Sequence, residues 1–325
     1  MDEDRLQALI DKVTAELAAA GLIDEAVVTA RNGQRPVPDE PKHLTRLNDL
    51  LERGSASLES LVIDLPDPTL PSAREIPGVL SPQNPDGLAA LMQSTPARIG
   101  IGRTGTRYPT GAWLLFQSDH AVTQDALMRE VDENLLDELG LFSVQTRITG
   151  GKEEYLLRPD LGRQLSAEAV SQIRERCTPN PNIQICVGDG LSAFAIEANL
   201  PRILPVLQNG FESAGLSLGT PFFIRYCRVG VMNDIGDLLH PDVLILLIGE
   251  RPGLGRAESM SAYMAYRPRA GHTDAERDVI CNIYAAGGTN PLEAGAYVVQ
   301  MAQKLMHYQA SGVQLRLAEN GKEAA

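Results

Sequence analysis

Three short loops carry the residue types that could bind a ligand. They are Gly188-Asp189-Gly190, Arg228-Val229-Gly230 and Gly249-Glu250-Arg251, and each follows a stretch that is predicted to be a strand. Because the carboxyl ends of parallel strands converge on one edge of a sheet, a ligand there would meet backbone amides, carboxylates and guanidinium groups. The alternative is structural, because glycine-rich loops also end strands for geometric reasons and arginines more commonly pair with neighbouring carboxylates.

The clearest of these strands runs from Val243 to Ile248, six apolar residues in a row that stop at Gly249. The run is too short to cross a membrane, which needs roughly 20 residues. It is typical of a strand buried on both faces, as in a parallel sheet between helices. The pattern alone leaves the following loop open between a ligand site and a plain strand end.

The elements around this strand alternate in type. The predicted strands are 141–149, 183–187, 222–229, 243–248 and 261–266, with an edge strand at 313–317. The predicted helices are 109–130, 168–177, 191–198, 203–214, 232–239, 274–283 and 292–308. The predicted buried set of the first of these helices is Trp113, Leu114, Phe116, Ala121 and Leu127. Alternation of this kind indicates a mostly parallel α/β sheet with helices on both faces.

The chain of 325 residues is predicted to begin with an amphipathic helix over residues 2–20, within a segment that ends at residue 22. Its apolar residues recur at helical spacing on one face. They are Leu6, Leu9, Ile10, Val13 and Leu17. A helix this short is marginal alone in water, so it needs a surface to lie on. That surface is either the chain's own domain or another protein, in which case the helix is a detachable tag.

The rest of the chain is predicted to fall into four regions. Residues 23–96 form a proline-rich linker that is partly helical, with a helix at 44–51 and an extended connector at 66–86. Residues 97–165 form a mainly helical subdomain and residues 166–318 the α/β domain, followed by a disordered tail at 319–325.

Composition excludes several classes of protein. The net charge of −13 argues against nucleic acid or an anionic membrane surface as the main partner, because either requires a basic surface. The four cysteines form no CxxC motif and no secretory signal precedes them, so we expect reduced thiols in a cytoplasmic protein. The five histidines form no HExxH motif, which makes a protein-ligated catalytic metal unexpected.

A dinucleotide fingerprint is matched only loosely. Gly100, Gly102 and Gly105 have the GxGxxG spacing, but residues 107–109 separate them from the predicted helix. The fingerprint needs a strand before it and a helix directly after it. The pair Asp119-His120 lies on that helix and is not a catalytic dyad, because adjacent helical residues do not face each other.

Several longer motifs occur together and in a fixed order. They are Ala97–Gly105, Leu157–Arg163, Gly188–Ser192, Gly219–Tyr226 with Arg228-Val229, Gly249–Gly255, and Asn282-Ile283 with 287–291. In these motifs the chain resembles the small (light) subunit family of ethanolamine ammonia-lyase, over about residues 97–317. Residues 23–96 carry nothing that matches.

The resemblance implies a two-subunit lyase that converts ethanolamine to acetaldehyde and ammonia with adenosylcobalamin. In that family a large TIM-barrel subunit binds the substrate, while the small subunit has a Rossmann-like domain that covers the cobalamin on the side away from the substrate. The family's cofactor contacts fall here on Val229, on Glu250 and on Cys281, the last in a predicted helix. The resemblance implies no catalytic proton-transfer residue in this chain.

Two further functions remain open from the sequence. One is a free-standing nucleotide-dependent Rossmann oxidoreductase, which would work without a second subunit. The other is a non-catalytic binding module.

No Asp-x-His-x-x-Gly motif is present to supply a histidine to cobalt, so we expect the cofactor to keep its own dimethylbenzimidazole as lower ligand.

The resemblance also gives the amphipathic helix a role. Ethanolamine degradation in many bacteria occurs inside a protein-shelled microcompartment, and short amphipathic N-terminal helices often direct cargo there. We therefore expect the chain in the bacterial cytoplasm, inside such a compartment, with shell proteins as further partners.

Deletion of residues 1–22 tests the targeting role. We expect a fluorescent fusion of the full chain to co-localise with the compartment and the truncated fusion to spread through the cytoplasm. Unchanged encapsulation of the truncated fusion would contradict the role.

Overall fold

The computed structural model describes residues 75–95, 97–285 and 287–321. These residues belong to one compact unit, Leu65–Ala325. The predicted helices at 2–20 and 44–51, and the start of the linker, lie outside the described residues. So do the last residues of the predicted tail. The predicted boundaries at residues 96 and 165 stay a prediction.

The described chain begins with three helices and continues as alternating strands and helices. The first three helices are α1 (Pro85–Ser94), α2 (Thr110–Met128) and α3 (Glu133–Glu138). The strands are β1 (Phe142–Gln145), β2 (Ile183–Gly188), β3 (Phe222–Arg225), β4 (Val243–Gly249), β5 (Met260–Tyr266) and β6 (Asp278–Ile283). The remaining helices are α4 (Gly151–Leu157), α5 (Ala167–Arg176), α6 (Ala193–Ser213), α7 (Val231–Leu239), α8 (Pro291–Tyr308) and α9 (Gly312–Glu319).

The strands form one six-stranded mixed sheet in the order β1-β3-β2-β4-β5-β6. The four strands from β1 to β4 pair in parallel, as predicted. Strand β5 runs antiparallel to β4, and β6 runs antiparallel to β5. Consequently β2, β3, β4 and β6 all end at the same edge of the sheet, which confirms the α/β class and fixes where the predicted loops meet.

A separate apolar core covers each face of the sheet. On one face, Val243, Ile245 and Leu247 pack with α6 and α8. On the other, Leu244 and Leu246 pack with α5 and α7. Strand β4 is buried along its whole length, as its unbroken apolar sequence predicts.

Two predicted elements have the wrong type. The helix predicted at 274–283 is a single 3₁₀ turn, Asp274–Glu276, followed by β6. Its β-branched residues pair with β5, and this tertiary pairing outweighs the helical propensity of the first half. The edge strand predicted at 313–317 is α9, because alternation over five residues is too short to distinguish the two periods.

Two predicted element boundaries also need correction. The helices predicted at 191–198 and 203–214 are one helix, α6, which continues through Pro201 and Pro205. Strand β3 ends at Arg225 because Tyr226 turns into the left-handed region at φ 55°.

Helix α2 buries only Asp119. The predicted buried set on α2 is therefore wrong, and several of its large apolar side chains lie exposed.

Gly249 ends β4 where the backbone approaches the turn after β2. A Cβ atom on Gly249 would lie 2.1 Å from the carbonyl oxygen of Ser192 and 2.5 Å from that of Asp189. We expect Gly249→Ala to lower the free energy of unfolding by about 1–3 kcal/mol, measured by urea denaturation of the full chain.

Gly111 is the matched control, because it is helical and a Cβ there would meet no atom within 4 Å. Gly111→Ala should leave the stability unchanged or raise it by up to about 1 kcal/mol. Equal stability of the two variants would contradict this account of Gly249.

Candidate functional site

The candidate site lies at the edge where β2, β3, β4 and β6 end. The loop after β2 contains Asp189, the loop after β3 contains Val229, and the loop after β4 begins with Glu250. These are the loops that the sequence placed together. Their convergence follows from the parallel pairing of β3, β2 and β4.

Asp189 fixes the loop after β3 rather than facing a ligand. Its side chain is 5% exposed. Its carboxylate accepts hydrogen bonds from the backbone N–H groups of Tyr226 at 2.9 Å and Cys227 at 2.8 Å, and from Lys152 Nζ at 3.1 Å. Both oxygens are therefore engaged inside the protein, and Glu250 is the other carboxylate of the three loops.

Helix α4 holds the same loop from the other side. The Tyr155 hydroxyl donates to the carbonyl of Cys227 at 2.7 Å, and Arg228 Nη2 donates to the carbonyl of Tyr155 at 3.2 Å. The Arg228 guanidinium also lies 4.1 Å from the centre of the Tyr155 ring. Burial raises the pKa of Tyr155, and the negative charge of Asp189 raises it further, so the hydroxyl keeps the proton that it donates.

Val229 consequently occupies a rigid position. The Arg228 N–H donates to the Gly162 carbonyl at 2.8 Å, and the Met232 N–H at the start of α7 donates to the carbonyl of Val229 at 3.1 Å. The Val229 side chain is half-buried and packs against the core under α7. This leaves part of it accessible at the edge of the sheet.

Glu250 begins a loop that is held by a hydrogen bond within the loop and by hydrogen bonds from Ser192 and Thr123. Its N–H donates to the carbonyl of Ser259 at 2.9 Å, which closes the loop on itself. The Ser192 hydroxyl donates to the carbonyl of Ala257 at 2.6 Å, and the Thr123 hydroxyl of α2 donates to that of Gly253 at 2.9 Å. Glu250 is half-exposed on this loop, so its carboxylate can accept hydrogen bonds from a ligand.

Cys281 is exposed on β6 and not in a helix, which corrects the predicted element. Tyr263 of β5 pairs with Val279 of β6, two residues before Cys281. Burial raises the pKa of Tyr263 to about 12, and the charges of Glu250 and then Cys281 contribute to the increase. Tyr263 therefore keeps a proton to donate.

The face of the sheet that carries Tyr263 is accessible beside α7. Tyr263 and Val229 both pack against the core under α7, which puts them on the same side of the sheet. The helices that pack principally on β5 and β6 are α8 and α6, on the opposite side. Val279 is 44% exposed opposite Tyr263, and Cys281 is exposed two residues further along the strand. The structure thus brings Val229, Glu250 and Cys281 to one edge and one accessible face.

Other sequence candidates do not join this site. Arg225 forms ion pairs with Glu130 and Glu133. The loop that contains Gly100 and Gly102 follows no strand, so the dinucleotide fingerprint is absent there. Across the part of the chain that the structure describes, no group of three or more His, Cys, Asp or Glu side chains is arranged to hold a metal ion.

Sequence reasoning missed Lys152, Tyr155 and Tyr263. Lys152 and Tyr155 follow two glycines that were interpreted as the end of a strand, and Tyr263 lies in a predicted strand without a distinguishing motif. A signal for Tyr155 is its position two residues before the motif Leu157–Arg163, in which the Gly162 carbonyl accepts a hydrogen bond from the Arg228 N–H.

Comparison with known proteins decides the family. The family model described as "Ethanolamine ammonia-lyase light chain (EutC)" matches residues 85–316. The chain belongs to this family. It is 39% identical over 317 residues to the "Ethanolamine ammonia-lyase small subunit" of Fusobacterium nucleatum subsp. nucleatum, covering 98% of this chain and 100% of the relative. It is 44% identical over 236 residues to the protein of the same name from Clostridium perfringens, and the match covers 73% of this chain and 79% of the relative.

As a member of the ethanolamine ammonia-lyase light chain family, the chain is a subunit of an ammonia-lyase. Neither the family model nor these relatives support a free-standing nucleotide-dependent oxidoreductase. Among the residues that the structure describes, no helix has both the length and the apolar content needed to cross a membrane.

Removal of Asp189 tests whether it holds the site together. Asp189→Ala leaves Lys152 buried without its carboxylate partner and frees two backbone N–H groups. Loss of one partner of a buried pair is expected to lower the free energy of unfolding by about 3–5 kcal/mol, measured by urea denaturation.

The control is Asp160→Ala, which removes an exposed ion pair with Arg158. Exposed pairs contribute little, so this variant should unfold like the wild type. If Asp189→Ala also unfolded like the wild type, the loop after β3 would not depend on Asp189.

Proposed function

We propose that this chain is the cofactor-holding small subunit of an adenosylcobalamin-dependent ethanolamine ammonia-lyase, with Val229, Glu250 and Cys281 against the cobalamin. The larger subunit, a TIM barrel by family resemblance, would bind ethanolamine. The α/β unit of this chain would then act as a Rossmann-like cover on the side away from the substrate. Family membership supports the reaction, and the geometry of the three residues supports the role of this chain.

The observation that carries the proposal is the convergence of three residues that are far apart in sequence. Val229, Glu250 and Cys281 follow or lie in three different strands, yet these strands, β3, β4 and β6, all end at one edge of the sheet. A broad, flat cofactor requires an open surface of this kind rather than a closed pocket. The neighbouring β5 and β6 provide it with Val279 and Cys281 exposed.

The residue types fit the outer face of a corrin. The half-exposed Glu250 carboxylate can accept hydrogen bonds from the amide side chains or from a ribose hydroxyl of the nucleotide tail. Val229 offers apolar contact from a rigid loop. Cys281 offers a small, soft surface, and Tyr263, on the same side of the sheet as Val229, offers a protonated hydroxyl donor.

When bound, adenosylcobalamin would supply the radical chemistry that converts ethanolamine to acetaldehyde and ammonia, because cofactors of this kind carry the difficult step. The residues of this chain would bind and orient the cofactor, and we assign none of them a catalytic proton transfer. The hydrogen bonds of Asp189 and Tyr155 would keep the Val229 loop in the geometry that binding requires.

We also propose that the assembly works inside a bacterial microcompartment. The support is the amphipathic pattern of residues 2–20 in the sequence.

Reconstitution with a larger subunit tests the proposed function. Co-expression of both chains should give a complex that retains cobalamin absorbance and forms acetaldehyde from ethanolamine, and this chain alone should be inactive. Activity of this chain alone with NAD turnover would contradict the proposal.

Glu250 is the side chain to vary in that complex. Loss of a hydrogen bond to a charged group costs roughly 1.5–3 kcal/mol. We therefore expect Glu250→Ala to raise the cobalamin concentration for half-maximal activity by about tenfold or more, with less change at saturating cobalamin. Glu293→Ala, at an exposed glutamate on α8, is the control and should behave as wild type. Equal cofactor affinity of the two variants would remove Glu250 from the site.

A further inference from the structure

Helices α1 and α2 expose an apolar surface that the described fold does not cover. Helix α1 has no buried residue, and α2 buries only Asp119. Between these helices and the segments beside them lies an open cleft of about 1540 Å³, which we call the apolar cleft. The rings of Trp113 and Phe116 stack at its wall, 5.7 Å apart, and are 50% and 37% exposed. Leu80, 76% exposed, also lines it.

The two helices are also poor in charge, and the charged residues that line the cleft are Glu75, Arg98, Arg103 and Arg256. The sequences of α1 and α2 contain no lysine or arginine, and their acidic residues are Asp86, Asp119 and Asp125. Asp119 is buried in an ion pair with Arg98. Aromatic enrichment with depletion of charge is the composition of the centre of a protein interface, and large exposed apolar patches are rare on proteins that act alone. Trp113 is the only tryptophan of the chain, and tryptophan is enriched where binding energy concentrates.

The apolar cleft is continuous with the loop of Glu250. Leu254, Gly255 and Arg256 of that loop line the cleft. Helix α2 binds the loop directly, because the Thr123 hydroxyl donates to the carbonyl of Gly253 at 2.9 Å. A protein that covers the cofactor beside Glu250 would therefore meet the cleft four residues further along the same loop.

We infer that the apolar cleft and the exposed face of α2 form the docking surface for the larger subunit. This inference rests on the proposed function, which sets the cofactor between this chain and that subunit. Permanent complexes have large apolar interfaces that resemble a domain core, which is the character of this surface. Two other occupants are conceivable, a second copy of this chain and its own residues 1–74. The experiments below distinguish both from the larger subunit.

The first experiment measures binding of the larger subunit to the double variant Trp113→Ala/Phe116→Ala. Alanine favours helix, so α2 should persist, and circular dichroism of the free chain should match the wild type. We expect affinity to fall at least about tenfold, because truncation of central aromatic residues commonly costs that much. Val313→Ala, on α9 with 49% exposure, is the matched control and should bind as wild type.

The outcomes separate this inference from the proposed function. If the wild-type chains form an active, cobalamin-dependent complex and the double variant binds equally well, the docking surface is wrong and the function stands. If the wild-type chains form no complex, the proposed function fails and the inference fails with it.

A second experiment uses the single tryptophan as a reporter of what covers the surface. The chain labelled with 5-fluorotryptophan should give one fluorine resonance that is solvent-exposed in the free chain and shifts when unlabelled larger subunit is added. A shift with the chain's own concentration would instead indicate a second copy. A resonance already shielded from solvent in the dilute free chain would indicate residues 1–74. Either result overturns the inference.

Discussion

The buried carboxylate of Asp189 is the interaction on which the edge of this sheet depends. It ends the central strand β2 and accepts bonds from two successive N–H groups at the end of β3, and it neutralises the buried ammonium of Lys152. Each of these groups would be costly to bury without a partner. Together they stop β3 at Arg225 and turn the chain so that Val229 lies at the start of α7. The Gly-Asp-Gly motif is therefore part of the scaffold of the site.

The same arrangement fixes the loops that contain Val229 and Glu250. Rigid elements present Val229 from a loop held on both sides, and Glu250 from a loop tied to α2, α6 and itself. Precise positioning of this kind suits a cofactor that carries its own chemistry. The antiparallel strands β5 and β6 extend the sheet beyond α7 and leave an accessible face beside Glu250. The sheet thus provides both the anchor points and the surface.

Much of the fold could be predicted from local pattern. The unbroken apolar run Val243–Ile248 is typical of a buried strand, and the loops after β2, β3 and β4 converge because parallel strands end together. The predictions failed where tertiary contacts outweigh local preference. Helix α6 continues through two prolines because its apolar face is buried against the sheet along most of its length. The segment after Asp274 becomes a strand because β5 offers it a partner.

The candidate site shows the same limit. Val229, Glu250 and Cys281 could be named from family resemblance, but Tyr263, on the same side of the sheet as Val229, belongs to a strand with no motif. The roles of Lys152 and Tyr155 depend on contacts with residues about 37 and 72 positions away, which no local pattern encodes. The exposure of Trp113 was missed because an apolar helix face looks the same whether it packs inside its own chain or faces a partner.

A cryo-electron microscopy map of the assembled two-subunit complex with bound cobalamin tests the central claim most directly. The account predicts that density for the corrin and its nucleotide tail lies against the face beside α7, in contact with Val229, Glu250 and Cys281. Cobalamin density that contacts only the larger subunit, or another face of this chain, would contradict it.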